Sequence, residues 1–344
     1  SFLYNGNEIE IVKEFKYLGV IFSRTGSFYS TRKYVVTRAT RAMYAIIKKS
    51  RELNLSIDCQ LDMFDKMVVP ILLYGSELWG FENLCIIEKL HLKFCKLVLS
   101  LKTSTPIFMI YGELARYPLC VKVKIRMLNF WIRLLKGKES KLSYILYNFL
   151  HSLTQINNYN FKWVECLQNI LHECGLSYVW LTHNVENEKW ILNVVKQTLI
   201  DQFQQKWVSD CNASSKGLIY NLFTNNTFVP RNYINSGAYM NNITTLVRFR
   251  TSNHKLPIET GRWNNVPRNQ RFCNLCKNNI GDEYHYIMIC PELKEYRKAY
   301  LPSMYFRRPN AFKFFELFSC NKLAVINNLC KFINIINKRV NSPG

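Results

Sequence analysis

Polar and apolar positions alternate at the start of the chain and recur at helical spacing through most of its remaining length. In residues 2–12, β-forming residues flank Asn5-Gly6, the strongest short turn signal, so this stretch predicts a hairpin. Residues 15–22, Phe-Lys-Tyr-Leu-Gly-Val-Ile-Phe, predict another strand. Gly19 inside it points to a bulge or to a close approach of other atoms to the backbone, with an ordinary packed strand as the alternative. After the turn Thr25-Gly26-Ser27, a long helix is expected over 30–53. At 100° per residue, Val35, Val36, Ala39, Ala42, Met43, Ile46 and Ile47 share one side. Arg38, Arg41, Lys48, Lys49 and Arg51 fall largely on the other, and no acid enters that arc before Glu52. A solvated face ordinarily mixes signs, so this one fits a helix that faces phosphates.

The helical pattern continues through 58–78, with Pro70 expected to bend it, and through 84–101, where His91 reads as a surface residue. Thr105-Pro106 starts a short helix, since proline suits a first turn, and another runs on to Leu134. Lys136 to Lys141 is a basic, glycine-containing break and the first internal boundary. Residues 142–210 predict helices in which Trp163, Trp180, Trp190 and Trp207 supply core packing rather than base stacking. The run 211–217 is a loop by composition, a further helix leads from about Asn232 to Arg250, and the tail 337–344 is expected to fray.

Composition adds a partner class. Lys and Arg total 46 against 24 Asp and Glu, a net charge of +22 spread along the chain, which suggests a polyanion such as nucleic acid. Apolar residues at 48% of 344 positions are enough for two or three cores. No signal peptide opens the chain and no apolar run approaches the ~18 residues of a membrane span. Nine cysteines sit singly, mostly in apolar patterns, as small hydrophobes of a reducing intracellular compartment do.

The remaining three cysteines are arranged differently. Cys273 and Cys276 are separated by two residues, so one tight turn can aim both sulfurs at a point. His285 follows after eight more residues and Cys290 after a further four, making a set of three thiolates and one imidazole. That is the closed donor set of a structural zinc site. The loop 277–282 is polar and carries Gly281, while 285–290 predicts a helix start from which both later ligands face one metal.

Other chemistry is missing from the sequence. No two aspartates are adjacent, and there is no GxxxxGK[ST], GxGxxG or GxSxG motif. The residues therefore predict a binding chain rather than a catalytic one.

Three segments, in order, resemble the C-terminal part of a LINE-type (non-LTR) retrotransposon reverse transcriptase. Residues 15–22 are similar to the primer-grip hairpin that ends the palm. Residues 69–80 (Val-Pro-Ile-Leu-Leu-Tyr-Gly-Ser-Glu-Leu-Trp-Gly) and 111–119 (Tyr-Gly-Glu-Leu-Ala-Arg-Tyr-Pro-Leu) resemble the helical thumb and the region C-terminal to it. Glu259-Thr-Gly-Arg-Trp263, leading into Arg271-x-Cys-x-x-Cys276, resembles the approach to the terminal zinc knuckle. The eight-residue interval before His285 exceeds the four of retroviral knuckles, so retroviral docking geometry does not carry over.

The resemblance implies a parent enzyme, an RNA-directed DNA polymerase, that copies RNA into DNA at a nicked target. Its Mg2+-binding aspartates, and any endonuclease domain, would lie upstream of Ser1, and its products would work in nucleus and cytoplasm. Tyr17, Leu18 and Gly19 would grip the primer; Arg38, Arg41, Lys48 and Arg51 would follow the duplex; Arg262 and Trp263 would add nucleic-acid contacts. The expected chain is thus mainly α, with a β element over 1–27, a helical thumb region over 28–137, a helical connector over 138–232, and a helical end over 233–336 holding the knuckle at 271–292. Its expected partners are RNA and DNA, with Zn2+ as structural metal. A decayed or domesticated nucleic-acid-binding protein and a helical interaction scaffold are the alternatives.

Overall fold

The computed structural model describes residues 2–156 and 161–341. It is mainly helical, as expected, and among the described residues the β-strands all lie at the N-terminus. Strands β1 (Phe2–Tyr4) and β2 (Asn7–Ile9) pair around Asn5-Gly6, whose φ angles of 50° and 80° are those a tight hairpin demands. Strands β3 (Glu14–Tyr17) and β4 (Val20–Ser23) form a second hairpin where one strand was expected. Gly19 is therefore not a bulge: Leu18 and Gly19, at φ 47° and 87°, are the two central residues of a turn. The expected close approach is present, because a Cβ on Gly19 would stand 3.1 Å from the Tyr74 ring.

Helix α1 (Tyr29–Glu52) comes next, and its predicted apolar face is the buried one, with Val35, Ala39, Met43, Ile46 and Ile47 all at 5% exposure or less. The expected bent helix over 58–78 is instead a broken series. Helix α2 (Ile57–Met63) widens into a π-turn over Phe64–Val68, then α3 (Val69–Leu72) and α4 (Ser76–Trp79) are separated by Gly75 at φ 67°. Pro70 has no N–H to donate four residues back, so the ladder shifts register there, and Val69 donates to the Phe64 carbonyl five residues back.

Then come α5 (Cys85–Val98), α6 (Ile107–Leu114), α7 (Leu119–Leu135), α8 (Leu142–Ile156), α9 (Lys162–Glu173), α10 (Ser177–Thr182) and α11 (Glu188–Ala213). Cys211, expected in a loop, lies fully buried in the last turn of α11. The chain continues through α12 (Gly217–Thr224), α13 (Met240–Arg250), α14 (Pro257–Trp263), α15 (Lys294–Tyr300), α16 (Ser303–Phe306), α17 (Ala311–Ser319) and α18 (Leu323–Asn341). The tail does not fray at Asn337; α18 carries it to Asn341 with Ile336 and Val340 buried, and residues 342–344 fall outside those described.

Contacts group the chain into two compact units. The first comprises residues 1–45, 63–91 and 117–202, so the basic break at 136–141 lies within it. There α7 packs on α4, α8 and α9, and Trp131 stacks on Trp180 at 5.7 Å. Thr31 fixes the second hairpin to α1: its hydroxyl accepts from the Ile21 N–H and donates to the Ile21 carbonyl, both at 2.8 Å. His91, expected at the surface, is fully buried, stacks on Phe64 and meets the Glu88 carboxylate at 2.7 Å. Of the four tryptophans, Trp180 and Trp207 are buried as expected, but Trp190 is 44% exposed.

The second unit comprises residues 46–62, 92–116 and 203–344. Phe223, Phe249, Phe314 and Phe318 form an aromatic cluster with neighbouring centroids 4.6–6.3 Å apart. Beside it the fully buried Glu113 carboxylate receives two 3.0 Å hydrogen bonds from Arg250 and one from the Tyr233 hydroxyl. Bidentate pairing of this kind offsets the desolvation of both charges.

Candidate metal centre

The four sequence-predicted ligands converge. Cys273 opens a small knuckle: its N–H donates to the Asn279 carbonyl at 2.7 Å, and Phe272 bridges to Ile280. Lys277, at φ 61°, turns the chain back after Cys276. The N–H groups of Leu275 and Cys276 point at the Cys273 sulfur at 3.4 and 3.5 Å, which favours a thiolate there. Gly281 is required by proximity, since a Cβ would lie 2.9 Å from Pro257 Cγ and 3.0 Å from Cys273 Cα.

The second pair of ligands does not sit on an α-helix. Residues His285–Ile289 form a π-turn, begun by the Asp282 carboxylate, which accepts from the His285 N–H at 2.8 Å. Arg297, itself buried, donates to the carbonyls of Ile287 at 2.7 Å and Cys290 at 3.0 Å and so holds the turn from outside. Burial pulls the Arg297 guanidinium below its ordinary range. On the other side, Arg271 donates to the carbonyls of Val266 and Ile258, both at 2.9 Å, fixing the entry to the knuckle.

All four donor atoms lie within 4.8 Å of one another. Cys273 and Cys290 sulfurs are 3.8 Å apart, and the Cys276 sulfur is 3.3 Å from His285 Nε2. A tetrahedron built on zinc–sulfur and zinc–nitrogen bond lengths has edges of about 3.8 and about 3.6 Å. The set can thus hold a metal ion, and the donors present suit a closed four-coordinate site. Nε2 is the imidazole atom that faces the thiols, while buried Nδ1 has no hydrogen-bond partner among the described residues. The two backbone N–H groups aimed at the Cys273 sulfur lie on the inner wall of this set. An anionic sulfur is therefore favoured in the cage, as a cation requires.

The other candidate residues are distributed over both units. Tyr17 and Leu18 are 59% and 73% exposed at the tip of the second hairpin, and Tyr74 donates from its hydroxyl to the Leu18 carbonyl at 2.8 Å. Arg38, Arg41, Lys48 and Arg51 are all exposed on α1. Arg262 is engaged: it meets Glu259 at 2.9 Å, and Glu259 also meets Lys216 at 3.0 Å. Trp263 is 53% exposed with the Lys102 ammonium 5.3 Å from its ring centroid. Sequence reasoning quotes Arg271 and Tyr74 only within segments of the resemblance and gives no role to either, nor to Arg297 and Tyr34; the signal for the two arginines is a cation near the ligands.

A helical chain with a Cys3His cluster among its described residues is the class that fold and site define. Comparison with known proteins returns no match: no family model, no curated protein and no solved structure matches the chain. No helix among the described residues is long and apolar enough to cross a membrane.

Proposed function

We propose that this chain is the nucleic-acid-binding C-terminal portion of a LINE-type reverse transcriptase. It clamps a primer–template and binds template RNA or target DNA during target-primed reverse transcription, with structural zinc on Cys273, Cys276, His285 and Cys290. One observation carries the reading: the exposed arc of α1. Arg38, Arg41, Lys48 and Arg51 are exposed along it, and among the described residues none of the four has a carboxylate partner. The opposite face of the same helix is buried, so the cations stand on its outer side. Long cationic side chains at such spacing contact phosphates and follow a duplex without reading its bases. Zinc suits three thiols and an imidazole as a closed site with no open position. It would supply a structural tie, not a reaction.

The test is equilibrium binding of a primer–template duplex over a range of salt concentrations. Replacing Arg41, Lys48 and Arg51 together by Gln removes three charges while keeping helix-forming side chains. Each phosphate contact adds roughly 0.7 to 0.9 to the slope of log affinity against log salt, so the slope should fall by about two to three units. An unchanged slope and affinity would show the arc to be only solvated.

A further inference from the structure

The first unit contains a cleft of about 560 Å³ walled by three pieces of chain. The second hairpin contributes Lys16, Leu18 and Gly19; α1 contributes Tyr34, Val35 and Arg38; and the stretch around α3 contributes Pro70, Ile71 and Tyr74. The volume lies within the roughly 300–1,000 Å³ of small-molecule sites. Its floor is apolar and aromatic, and its polar groups are strongly biased. No lining residue carries a carboxylate or an amide side chain.

At one end the Lys16 ammonium donates to the Tyr34 hydroxyl at 2.8 Å and lies 4.2 Å from the ring centroid. The Arg38 guanidinium lies 5.7 Å from the same ring. Because the Tyr34 oxygen already accepts from Lys16, its own hydrogen remains to be donated elsewhere. The hydrogen bond from Lys16 also lowers the phenol pKa, which strengthens that donor. An ammonium, a phenol O–H and a guanidinium therefore gather at one end of the cleft. The second tyrosine, Tyr74, has its hydroxyl engaged with the Leu18 carbonyl at 2.8 Å and presents its ring.

A donor-rich, cationic end fits a ligand group that only accepts, and phosphate matches it. An apolar and aromatic floor beside it fits a flat body attached to that phosphate. We propose that this cleft binds a single unpaired nucleotide, with the phosphate held by Lys16, Tyr34 and Arg38 and the base laid against Tyr74, Pro70 and Ile71. The inference rests on the nucleic-acid reading for the kind of ligand; it shares Arg38 with the duplex-facing arc of α1 but needs none of Arg41, Lys48 and Arg51. The nucleotide could come free or as one unit of a single strand, and the chemistry of the cleft is the same for both.

The experiment uses the full zinc-loaded chain and four probes: a nucleoside monophosphate, a short single-stranded oligonucleotide, inorganic phosphate and a primer–template duplex. Two variants accompany it. Tyr34→Phe removes one donor and keeps the ring; Ile71→Trp fills the floor. Binding of the mononucleotide or the single strand should weaken about tenfold in Tyr34→Phe, as loss of one hydrogen bond to a charged group implies, and should be lost in Ile71→Trp. A response to the mononucleotide identifies a free ligand, and a response to the oligonucleotide alone identifies a strand. Binding of neither, unchanged binding in Ile71→Trp, or equal affinity for inorganic phosphate overturns the proposal. Duplex binding separates the two readings: if it persists with its salt slope while the cleft takes nothing, only the cleft assignment fails. If the duplex also fails to bind, the clamp reading fails with it.

Discussion

The backbone N–H of Cys290 donates to the carbonyl of His285 at 2.8 Å, five residues back, so the last two ligands belong to one widened turn. Chain length between them is as much a part of the centre as the donors themselves. Deleting the half-exposed Ile289 would leave all four ligands in the sequence but place Cys290 one residue short of that turn. Purified wild-type chain should carry about one equivalent of zinc by mass spectrometry. The deletion and Cys276→Ser should both lose it. Full retention in the deletion variant would show that the π-turn is incidental to the metal.

The buried pair Glu113 and Arg250 gives a pH-dependent prediction. Burial raises the Glu113 pKa, but Arg250 and Arg231 more than offset it, and the net shift is downward. A carboxylate depressed in the folded state stabilises the fold above its unfolded value of about 4.3, and the contribution fades as pH falls through the folded value. Glu113→Gln strands the Arg250 charge in the core and should cost about 3–5 kcal/mol at neutral pH. Urea titrations of wild type and variant should therefore converge as the pH drops below about 4. A constant gap across that window would contradict the assignment.

Gly112 lies against the side chains it would displace. A Cβ there would stand 2.6 Å from the Tyr220 hydroxyl oxygen and 2.8 Å from Trp207 Cζ2, both inside the buried core. Gly112→Ala should therefore destabilise by about 1–3 kcal/mol, as overpacking does. Its melting temperature, compared with that of Gly237→Ala at a position with open space and φ 73°, distinguishes crowding from backbone strain. Near-UV circular dichroism should report the disturbed tryptophan only in the first.

Polymerisation provides a direct check on the expectation that this chain binds nucleic acid without copying it. No two aspartates are adjacent in the sequence, as the paired site for two metal ions is expected to have. Homogeneous protein should extend no primer on RNA or DNA with either Mg2+ or Mn2+. Any template-dependent extension that co-purifies with the chain would refute that expectation.

Local sequence rules account for much of this architecture and for the ligands. Asn5-Gly6 permits only a narrow range of turns, and the apolar stripe of α1 recurs too regularly to face water. Spacing alone selects Cys273, Cys276, His285 and Cys290. The features that sequence does not reveal depend on distant partners. Leu18 is a poor candidate for a left-handed turn residue, and the Tyr74 hydroxyl, 56 positions away, helps hold it there. Glu113 and Arg250 are 137 positions apart, and neither advertises the other. The π-turn combines an acid at Asp282, a cation at Arg297 and a register change that periodicity does not encode.

Arg271 and Arg297 tie the two halves of the metal centre to backbone carbonyls by bonds that involve no metal. If an ion were bound and then stripped, such a cage would keep most of its outline, because its frame is bolted on both sides. Loss and recapture of zinc would then be local and repeatable, without a round of unfolding between them. The speed of recapture would be governed by thiol deprotonation and diffusion, so it should quicken as pH rises, on a timescale unconnected with refolding of the chain.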